Sequence, residues 1–415
     1  MTLTLPKIQD FDDPDYDPFA ADAVNFGDHE DPYPIIAKLR SEGAIHQGSY
    51  RGLMGLPDAL MPDRKFFTLV GTEAITRALT DEESFSNAAY AFNLGVTFGR
   101  SISTMDNPEH GRYRRIFQRI FLPQHVRKWG DSIVDPVVTE LMDQFLPNGR
   151  ADLISQFTLR YPFEVIYGQL ALPESDVRVF QRLAIGQTDY VHEDKAREAG
   201  RKLGDYFRQL VEARRADPGD DLISLLATTE VEGEYLPEDV LISFLRQLMN
   251  AAGDTTYRGT SVLLTALLTE PERFEAVRAD RSLIPLAIEE ALRWDGPVAV
   301  QLRMAKRCMV IDGVDVPAGS LIDVVAGAAN RDPALYADPD RFDMHRPKRP
   351  HFAFARGPHI CVGQHLARVE MERALNAICD RLHNLRLDPD APAPMIRGSM
   401  MRVPHSLHVL FDPQG

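Results

Sequence analysis

A long, mostly apolar stretch lies between Pro237 and Pro271, in the second half of this 415-residue chain. Proline suits the first turn of a helix, and a later proline ends it, so the spacing predicts a helical region over about residues 237–270. That length is about three times the average for a helix. Both halves of the stretch are apolar, which indicates a buried helix. We therefore expect a fold built mainly from helices.

The centre of this stretch reads Gly253-Asp254-Thr255-Thr256, and these residue types disfavour a helix. The glycine alone costs about 1 kcal/mol of helix stability relative to alanine. Two interpretations stay open. The region is either two helices with a break at Gly253, or a single helix that is locally opened beside a ligand, where glycine lets the ligand approach the backbone.

The remaining segments predict further helices with small sheets, and no doubly wound sheet or barrel. The acidic residues 1–35 predict an extended lead-in, and residues 333–360 predict a long ordered loop. No repeat and no Ser/Gly-rich linker interrupts the chain, so we expect a single domain over residues 1–415. The other predicted elements are a strand at 66–70, mostly helices over 106–295, a hairpin at 308–325, a helix over 362–382 and a closing strand in the tail.

The composition limits the classes of function. The formal net charge of −15 disfavours binding to nucleic acid or to an anionic membrane. There is no run of eighteen apolar residues and no signal-peptide pattern, so neither a transmembrane helix nor secretion is predicted. The three cysteines, Cys308, Cys361 and Cys379, are too few for a disulfide scaffold and fit a reducing compartment. We expect a cytoplasmic monomer.

One cysteine, Cys361, lies in the stretch FARGPHICVG at 354–363, just before a predicted helix. The helix dipole and the free N–H groups of a first turn favour a thiolate, so we expect a lowered pKa for this cysteine. A thiolate here can be a nucleophile, a zinc ligand or an iron ligand, and an inert buried cysteine is the structural alternative. No CxxC supports zinc, and no triad partner identifies a nucleophile. The stretch alone does not decide further.

Several motifs, in family order, resemble those of the cytochrome P-450 family, the haem-thiolate monooxygenases. Residues 290–293 are similar to its Glu-x-x-Arg helix, and residues 338–342 to the element whose arginine, here Arg341, contacts that pair. Residues 106–110 with Arg114 resemble the start of its haem-side helix, and Asp254-Thr255 its acid–alcohol pair. The glycine of that pair's helix stands one residue later than in many members. Five residues fit its haem-binding loop: Phe354, Gly357, His359, Cys361 and Gly363.

The resemblance implies a mainly α cytochrome P-450 fold with a long central helix over a haem b. It implies Cys361 as the axial thiolate that favours O–O cleavage, with O2 as co-substrate. It assigns Thr255 and Asp254 to proton delivery, although Thr255 could bond to the carbonyl four residues earlier and Asp254 could form a structural ion pair. Glu290, Arg293 and Arg341 are expected to hold the fold. The remaining residues implied around the haem are His110, Arg114, Arg303 and His359 for the propionates, with Phe354 and Gly357 in the loop.

The resemblance also places a substrate pocket and a partner surface. Six basic residues and no acid occur between Arg112 and Lys128, on the cysteine side of the haem, and predict docking of an acidic ferredoxin with a separate NAD(P)H-dependent ferredoxin reductase. We call Arg112, Arg115, Arg119, Arg127 and Lys128 the basic face. The predicted pocket is apolar and fits a hydrophobic small molecule, with a terpenoid-like or alicyclic compound favoured over an aromatic, fatty acyl or steroid one. Its predicted walls are Tyr90, Phe92, Leu94, Val96, Phe98, Met249, Ala252, Val298, Val300, Met400 and Met401.

Three functions follow, in order of preference. The first is a monooxygenase that hydroxylates such a molecule with electrons from a ferredoxin. The second is a peroxide-driven haem-thiolate enzyme, which the presence of the acid–alcohol pair disfavours. The third is a haem protein that binds a ligand or gas as carrier or sensor without turnover.

Overall fold

The computed structural model describes residues 7–56, 61, 64–173, 176–231 and 233–413. The α-helices, in chain order, are α1 (Pro18–Phe26), α2 (Tyr33–Glu42), α3 (Tyr50–Leu53), α4 (Thr72–Thr80), α5 (Leu94–Phe98), α6 (Glu109–Ile120), α7 (Pro123–Trp129), α8 (Asp135–Asp143), α9 (Tyr161–Leu170), α10 (Val177–Gly186), α11 (Glu193–Ala216), α12 (Leu222–Ala227), α13 (Glu238–Leu268), α14 (Pro271–Ala279), α15 (Ile284–Asp295), α16 (Ala326–Asn330) and α17 (Gln364–Arg381). Across the described ranges, none of the helices is both long and apolar enough to cross a membrane.

The strands form small sheets, so the predicted fold class, mainly α with small β-sheets, is confirmed. The largest sheet among the described residues has the order β1-β2-β10-β7-β3, in which β2 and β10 pair in parallel and the other neighbouring strands pair antiparallel. A three-stranded sheet has the order β11-β14-β4, and three two-stranded sheets pair β5 with β6, β8 with β9 and β12 with β13. The strands are β1 (Ile45–Gln47), β2 (Phe66–Leu69), β3 (Phe85–Ser86), β4 (Arg150–Asp152), β5 (Glu230–Val231), β6 (Glu234–Tyr235), β7 (Gln301–Ala305), β8 (Met309–Ile311), β9 (Val314–Val316), β10 (Leu321–Val324), β11 (Arg386–Leu387), β12 (Ile396–Arg397), β13 (Val403–Pro404) and β14 (His408–Leu410).

The long helix α13 is continuous from Glu238 to Leu268, so the interpretation with a break at Gly253 is wrong. Its first half packs in a hydrophobic cluster with α9, α10 and α11, and its second half in another with α8, α15 and α17. Burial of both halves offsets the poor helix propensity of the central residues. Gly253 serves packing, because a Cβ at this position would lie 2.5 Å from Cδ1 of Phe163 on α9.

The N-terminal prediction is wrong in part. The expected extended lead-in over residues 1–35 contains α1 and the start of α2, while residues 1–6 lie outside the described ranges. The acidic, proline-containing sequence is a capping signal here, because the Asp17 side chain accepts a hydrogen bond from the Phe19 N–H at 3.0 Å and Pro18 fills the first turn.

The C-terminal predictions hold more closely. The hairpin is β8–β9, with its turn at Asp312 and Gly313, and the following strand β10 leaves it for the large sheet. The helix predicted over 362–382 is α17, and the predicted buried residues, Met371, Ala374, Leu375, Ile378 and Leu382, are buried.

Candidate functional site

The loop before α17 holds Cys361 in a fixed conformation. The Cys361 N–H donates to the Phe354 carbonyl at 2.9 Å, which closes the loop. Gly357 has a φ of +72°, and a Cβ there would overlap the Leu79 carbonyl oxygen, so only glycine fits. Arg368 on α17 stacks over the Phe354 ring, 4.4 Å from its centroid. The sequence-predicted loop residues are therefore brought together around one cysteine.

The expected lowering of the Cys361 pKa is wrong for the protein by itself. Part of the side chain is open to solvent, yet the surrounding protein desolvates the sulfur, and this burial raises the pKa of the thiol. The backbone N–H groups of Gly363 and Gln364 and the charge of Arg114 act in the opposite direction and do not prevail. A bound metal cation deprotonates a coordinating thiol outright, so the site favours a thiolate only with such a cation.

Among the described residues, several buried donors near the same loop form no hydrogen bond to a carboxylate. His110 is 2% exposed, and neither of its ring nitrogens has a hydrogen-bond partner among the described residues. Its ring lies 3.9 Å from that of His359, and burial lowers the pKa of His110 to about 4 and that of His359 to about 2. Both rings are therefore neutral donors at pH 7.

Two arginines complete this set of donors. Arg303 is 4% exposed and forms no ion pair within the described ranges, and Arg114 donates to the Ile360 carbonyl at 2.6 Å. Burial lowers the pKa of both guanidinium groups. Buried cations without anions are costly, and the two carboxylates of a haem would satisfy them. The residues present thus fit a haem beside Cys361. On geometry alone, Glu82, His110 and His359 could also hold a metal ion.

Thr255 and Asp254 occupy the predicted place on α13. The Thr255 hydroxyl donates to the Ala251 carbonyl at 2.8 Å, which is the local bond expected of a threonine inside a helix. Asp254 is 4% exposed and accepts a hydrogen bond from Arg258 Nε at 2.9 Å. It therefore forms the structural ion pair that was the alternative to proton delivery. Both residues also line a cavity.

Asp254 belongs to a buried triad with Arg258 and Asp22. Arg258 is one helical turn further along α13, and its Nη2 donates to Asp22 Oδ2 on α1 at 2.6 Å. Burial raises the pKa of Asp254 above its ordinary value, Arg258 opposes this shift, and Asp22 adds to it. The contact with α1 could not be predicted from the sequence, because it joins residues 236 positions apart.

The cavity beside Thr255, which we call the active-site cavity, has a volume of about 220 Å³. Of the predicted wall residues, those on its lining are Tyr90, Leu94, Phe98, Val298, Val300, Met400 and Met401. The predicted walls Met249, Ala252, Phe92 and Val96 are wrong. Met249 and Ala252 lie on the face of α13 that packs in the core, Phe92 is exposed beneath Arg64, and Val96 lies two positions from the cavity-facing Leu94 and Phe98.

The cavity is more polar than predicted. On α13 the lining residues include Gln247, Ala251 and Thr255, which lie one helical turn apart on the same face. Helical spacing from Thr255 could therefore have predicted Gln247 and Ala251. The other lining residues belong to segments far apart in the chain, and no sequence pattern shows that these segments meet. The polar lining residues that were not predicted from the sequence are Ser49, Arg51, Asn93, Thr188, Tyr190, Gln247, Asn250, Gln301 and Asp323.

The ion cluster that holds the fold has a different third member from the one predicted. Arg293 donates to both oxygens of Glu290 at 2.7 Å, as expected. The second guanidinium on Glu290 belongs to Arg346, at 3.3 Å, while Arg341 is exposed and offers only its backbone carbonyl. The prediction for Arg341 is wrong because the chain folds back five residues later, at Arg346.

Three residues of the basic face, Arg112, Arg115 and Arg119, lie on α6, which contacts the cysteine loop. Arg114 on α6 bonds to Ile360, so α6 contacts the residue next to Cys361. Arg115, Arg119, Arg127 and Lys128 are exposed, and no carboxylate among the described residues forms an ion pair with them. Arg112 is half-buried over the Tyr113 ring.

Comparison with known proteins defines the class to which this fold and site belong. Residues 189–410 match the family model described as Cytochrome P450. The chain is 31% identical to the cytochrome P450 monooxygenase PikC of Streptomyces venezuelae, with 89% of each chain covered. It is 36% identical to the vitamin D3 dihydroxylase of Streptomyces griseolus over 77% of this chain and 79% of that one. The structure of cytochrome P450 CYP109Q5 from Chondromyces apiculatus superposes with a TM-score of 0.82 at 27% identity, over 96% and 98% of the two chains.

The chain therefore belongs to the cytochrome P450 family, and it is a P450 monooxygenase. Membership implies a haem with a thiolate ligand.

Proposed function

We propose that the protein binds haem b through Cys361 and hydroxylates a hydrophobic small molecule that lies in the active-site cavity beside Thr255. The observation that carries the proposal is the convergence of one thiol with buried donors, chiefly His110 and Arg303, that form no ion pair or hydrogen bond with a carboxylate of the described residues. When bound, the haem supplies the redox chemistry that activates O2. His110, Arg114, Arg303 and His359 would hold its carboxylates, and Phe354 and Gly357 would shape the loop beside it.

The protons of the reaction come from the acid–alcohol pair. Because the Thr255 hydroxyl donates to Ala251, its oxygen is left to accept a hydrogen bond from a water in the cavity. The raised pKa of Asp254 lets this carboxyl hold a proton closer to neutral pH than an ordinary aspartate does. Thr255 thus positions the water that carries the proton, and Asp254 supplies it.

The substrate class is a terpenoid-like or alicyclic compound that carries a polar group. The apolar part of the lining, from Leu94 and Phe98 to Val300 and Met400, favours a rigid hydrocarbon body. The polar side chains on the same lining, such as Asn250 and Gln301, favour a hydroxyl or carbonyl group on it. The relative named vitamin D3 dihydroxylase supports an alicyclic substrate.

Electrons come from an acidic ferredoxin that docks on the basic face. Four of the five cations there are exposed, and α6, which carries part of the face, contacts the cysteine loop, so they can attract an acidic partner to this side of the protein. A separate NAD(P)H-dependent reductase would reduce the ferredoxin.

The first experiment is the spectrum of the reduced protein under carbon monoxide. We expect the strongly red-shifted Soret band of a thiolate–haem complex in the wild type and its loss in Cys361→Ser, with Cys308→Ser as the control that keeps it. A band typical of histidine-ligated haem in folded wild-type protein would contradict the proposal.

The second experiment separates the three functions. A panel of vitamin D3, a monoterpene alcohol and a long-chain linear fatty acid is screened for a change of iron spin state. Binders are then supplied with a plant-type [2Fe–2S] ferredoxin and its reductase, or with hydrogen peroxide. Product with ferredoxin supports the monooxygenase, product with peroxide alone supports the peroxide-driven enzyme, and binding without product under both conditions supports a carrier or sensor.

A further inference from the structure

The buried triad of Asp22, Arg258 and Asp254 joins α1 to the wall of the active-site cavity. The side chains of Arg258 and Asp254 are 2% and 5% exposed, and that of Asp22 is 16% exposed. One guanidinium therefore faces two carboxylates, at 2.6 Å and 2.9 Å. When both carboxylates are ionised, Arg258 neutralises only one of them, so one negative charge remains without a cation in the protein interior.

Stability alone does not explain this arrangement. Ion pairs buried in a protein are often no more stable than apolar side chains of similar size, because desolvation offsets the attraction. Helix α1 is already held in place by its packing against α10, so the position of α1 does not depend on Asp22 alone. An unbalanced pair of carboxylates is the type of arrangement that shifts a pKa at a functional site.

A second opening lies on the other side of the triad. This surface cleft, of about 270 Å³, is lined by Asp22, Arg258, Ser155 and His405 among others. Phe26 and Met401 line both the surface cleft and the active-site cavity, so they form the partition between the two. Asp22 faces the cleft and Asp254 faces the cavity, while Arg258 lies between them.

We propose that Asp22 is a positioning residue for proton delivery: by sharing Arg258 with Asp254, it lets the Asp254 carboxyl keep a proton that it can give to the cavity. This inference rests on the proposed role of Asp254. A proton leaves the Asp254 carboxyl for the cavity, and solvent water returns one to it before the next turnover. Arg258 keeps its charge throughout, and no electron moves in this step.

Few other charged or titratable groups face Asp254 in the described part of the chain. Arg258 and Tyr257 come from its own helix, Asp22 from α1, and Tyr190 from the segment between α10 and α11. Burial raises the pKa of both phenols, so they stay neutral. Asp22 is thus the group that competes with Asp254 for Arg258, and its removal leaves Arg258 to Asp254 alone.

The test is an infrared titration of the haem-loaded protein. The band of a protonated carboxyl that is present in the wild type and absent in Asp254→Asn reports the state of Asp254. We expect Asp22→Asn to move the midpoint of this band to lower pH by about one unit, a tenfold change in proton affinity, because Arg258 then favours the ionised form. Asp28→Asn is the matched control, since Asp28 pairs with Arg397 at 3.0 Å on the surface.

The same variants are compared for the hydrogen peroxide that they release per O2 consumed with the plant-type ferredoxin. Asp22→Asn should release more than Asp28→Asn, and Asp22→Glu should restore both readouts, which separates positioning from a loss of folding. An unchanged midpoint in Asp22→Asn overturns the inference. Unchanged peroxide release in both Asp254→Asn and Thr255→Ala would instead contradict the proposed proton delivery, whatever the titration shows.

Discussion

Glu290 is a buried carboxylate that accepts several hydrogen bonds. Its oxygens accept from Arg293, from Arg346 and from the Asp343 backbone N–H, and its side chain is 6% exposed. A buried charge is tolerated only when its partners are complete, and removal of one partner costs about 3–5 kcal/mol. Arg346 supplies such a partner from the loop that leads to Cys361.

Arg346 and Arg341 therefore make a matched pair of substitutions. We expect Arg346→Ala to lower the thermal midpoint markedly and to reduce the fraction of protein that retains haem, because Glu290 loses a buried cation. Arg341→Ala should change both little, since that side chain is exposed. Calorimetry and the ratio of haem to protein absorbance measure the two effects. Equal losses in the two variants would contradict this assignment.

Glu370 on α17 is a buried carboxyl outside the proposed chemistry. It is 1% exposed, its Oε2 has no hydrogen-bond partner among the described residues, and burial raises its pKa well above the ordinary value. The folded protein therefore binds this proton more tightly than the unfolded chain. Stability falls as the pH rises from the ordinary glutamate pKa toward the raised one.

Glu370→Gln should remove this penalty. The thermal midpoint of the variant relative to the wild type is expected to rise between pH 5 and pH 8, by the equivalent of about 1.4 kcal/mol per pH unit at most. Glu372→Gln, on the exposed side of the same helix, should show no such trend. A difference between Glu370→Gln and wild type that does not change with pH would refute the raised pKa.

At the scale of elements, α13 depends on one close approach. Gly253 admits the Phe163 ring of α9, whereas a Cβ at Gly259 would meet Leu292 and Met371 only at 3.7 Å. We expect Gly253→Ala to destabilise the protein by about 1–3 kcal/mol, because the ring is enclosed. Gly259→Ala should be neutral or stabilising by up to about 1 kcal/mol through helix propensity. Thermal midpoints of the two variants check this, and the reverse order would be inconsistent with the packing.

The basic face is the second element with a measurable role. Charge reversal at Arg115 or Arg119 should raise the KM for a plant-type [2Fe–2S] ferredoxin about tenfold at low salt, with kcat at saturation unchanged. The difference should shrink at high salt, because exposed charges are screened. Lys38→Glu makes the same charge change on α2, where the side chain is 74% exposed, and should have little effect. An equal response of α2 and α6 would argue against docking at the basic face.

For the whole molecule, the sequence predicts those features that depend on residues close together in the chain. The length of α13, the loop around Cys361 and the buried stripe of α17 follow from residues close together in the chain, and the structure agrees with them. Contacts between distant segments do not follow in this way. Asp22 with Arg258, Arg346 with Glu290, and the polar lining from Arg51 and Asp323 depend on tertiary packing that no periodicity encodes.

The sheets also link distant parts of the chain. Strands β1, β2 and β3, all before residue 87, share a sheet with β7 and β10, and β14 at residues 408–410 pairs with β4 at residues 150–152. During synthesis the early strands thus leave the ribosome long before their partners. Pairings of this separation form slowly and leave unpaired edges open to aggregation meanwhile. The yield of native protein in a cell should therefore depend on chaperones that shield β2 and β3 until β7 and β10 have been made.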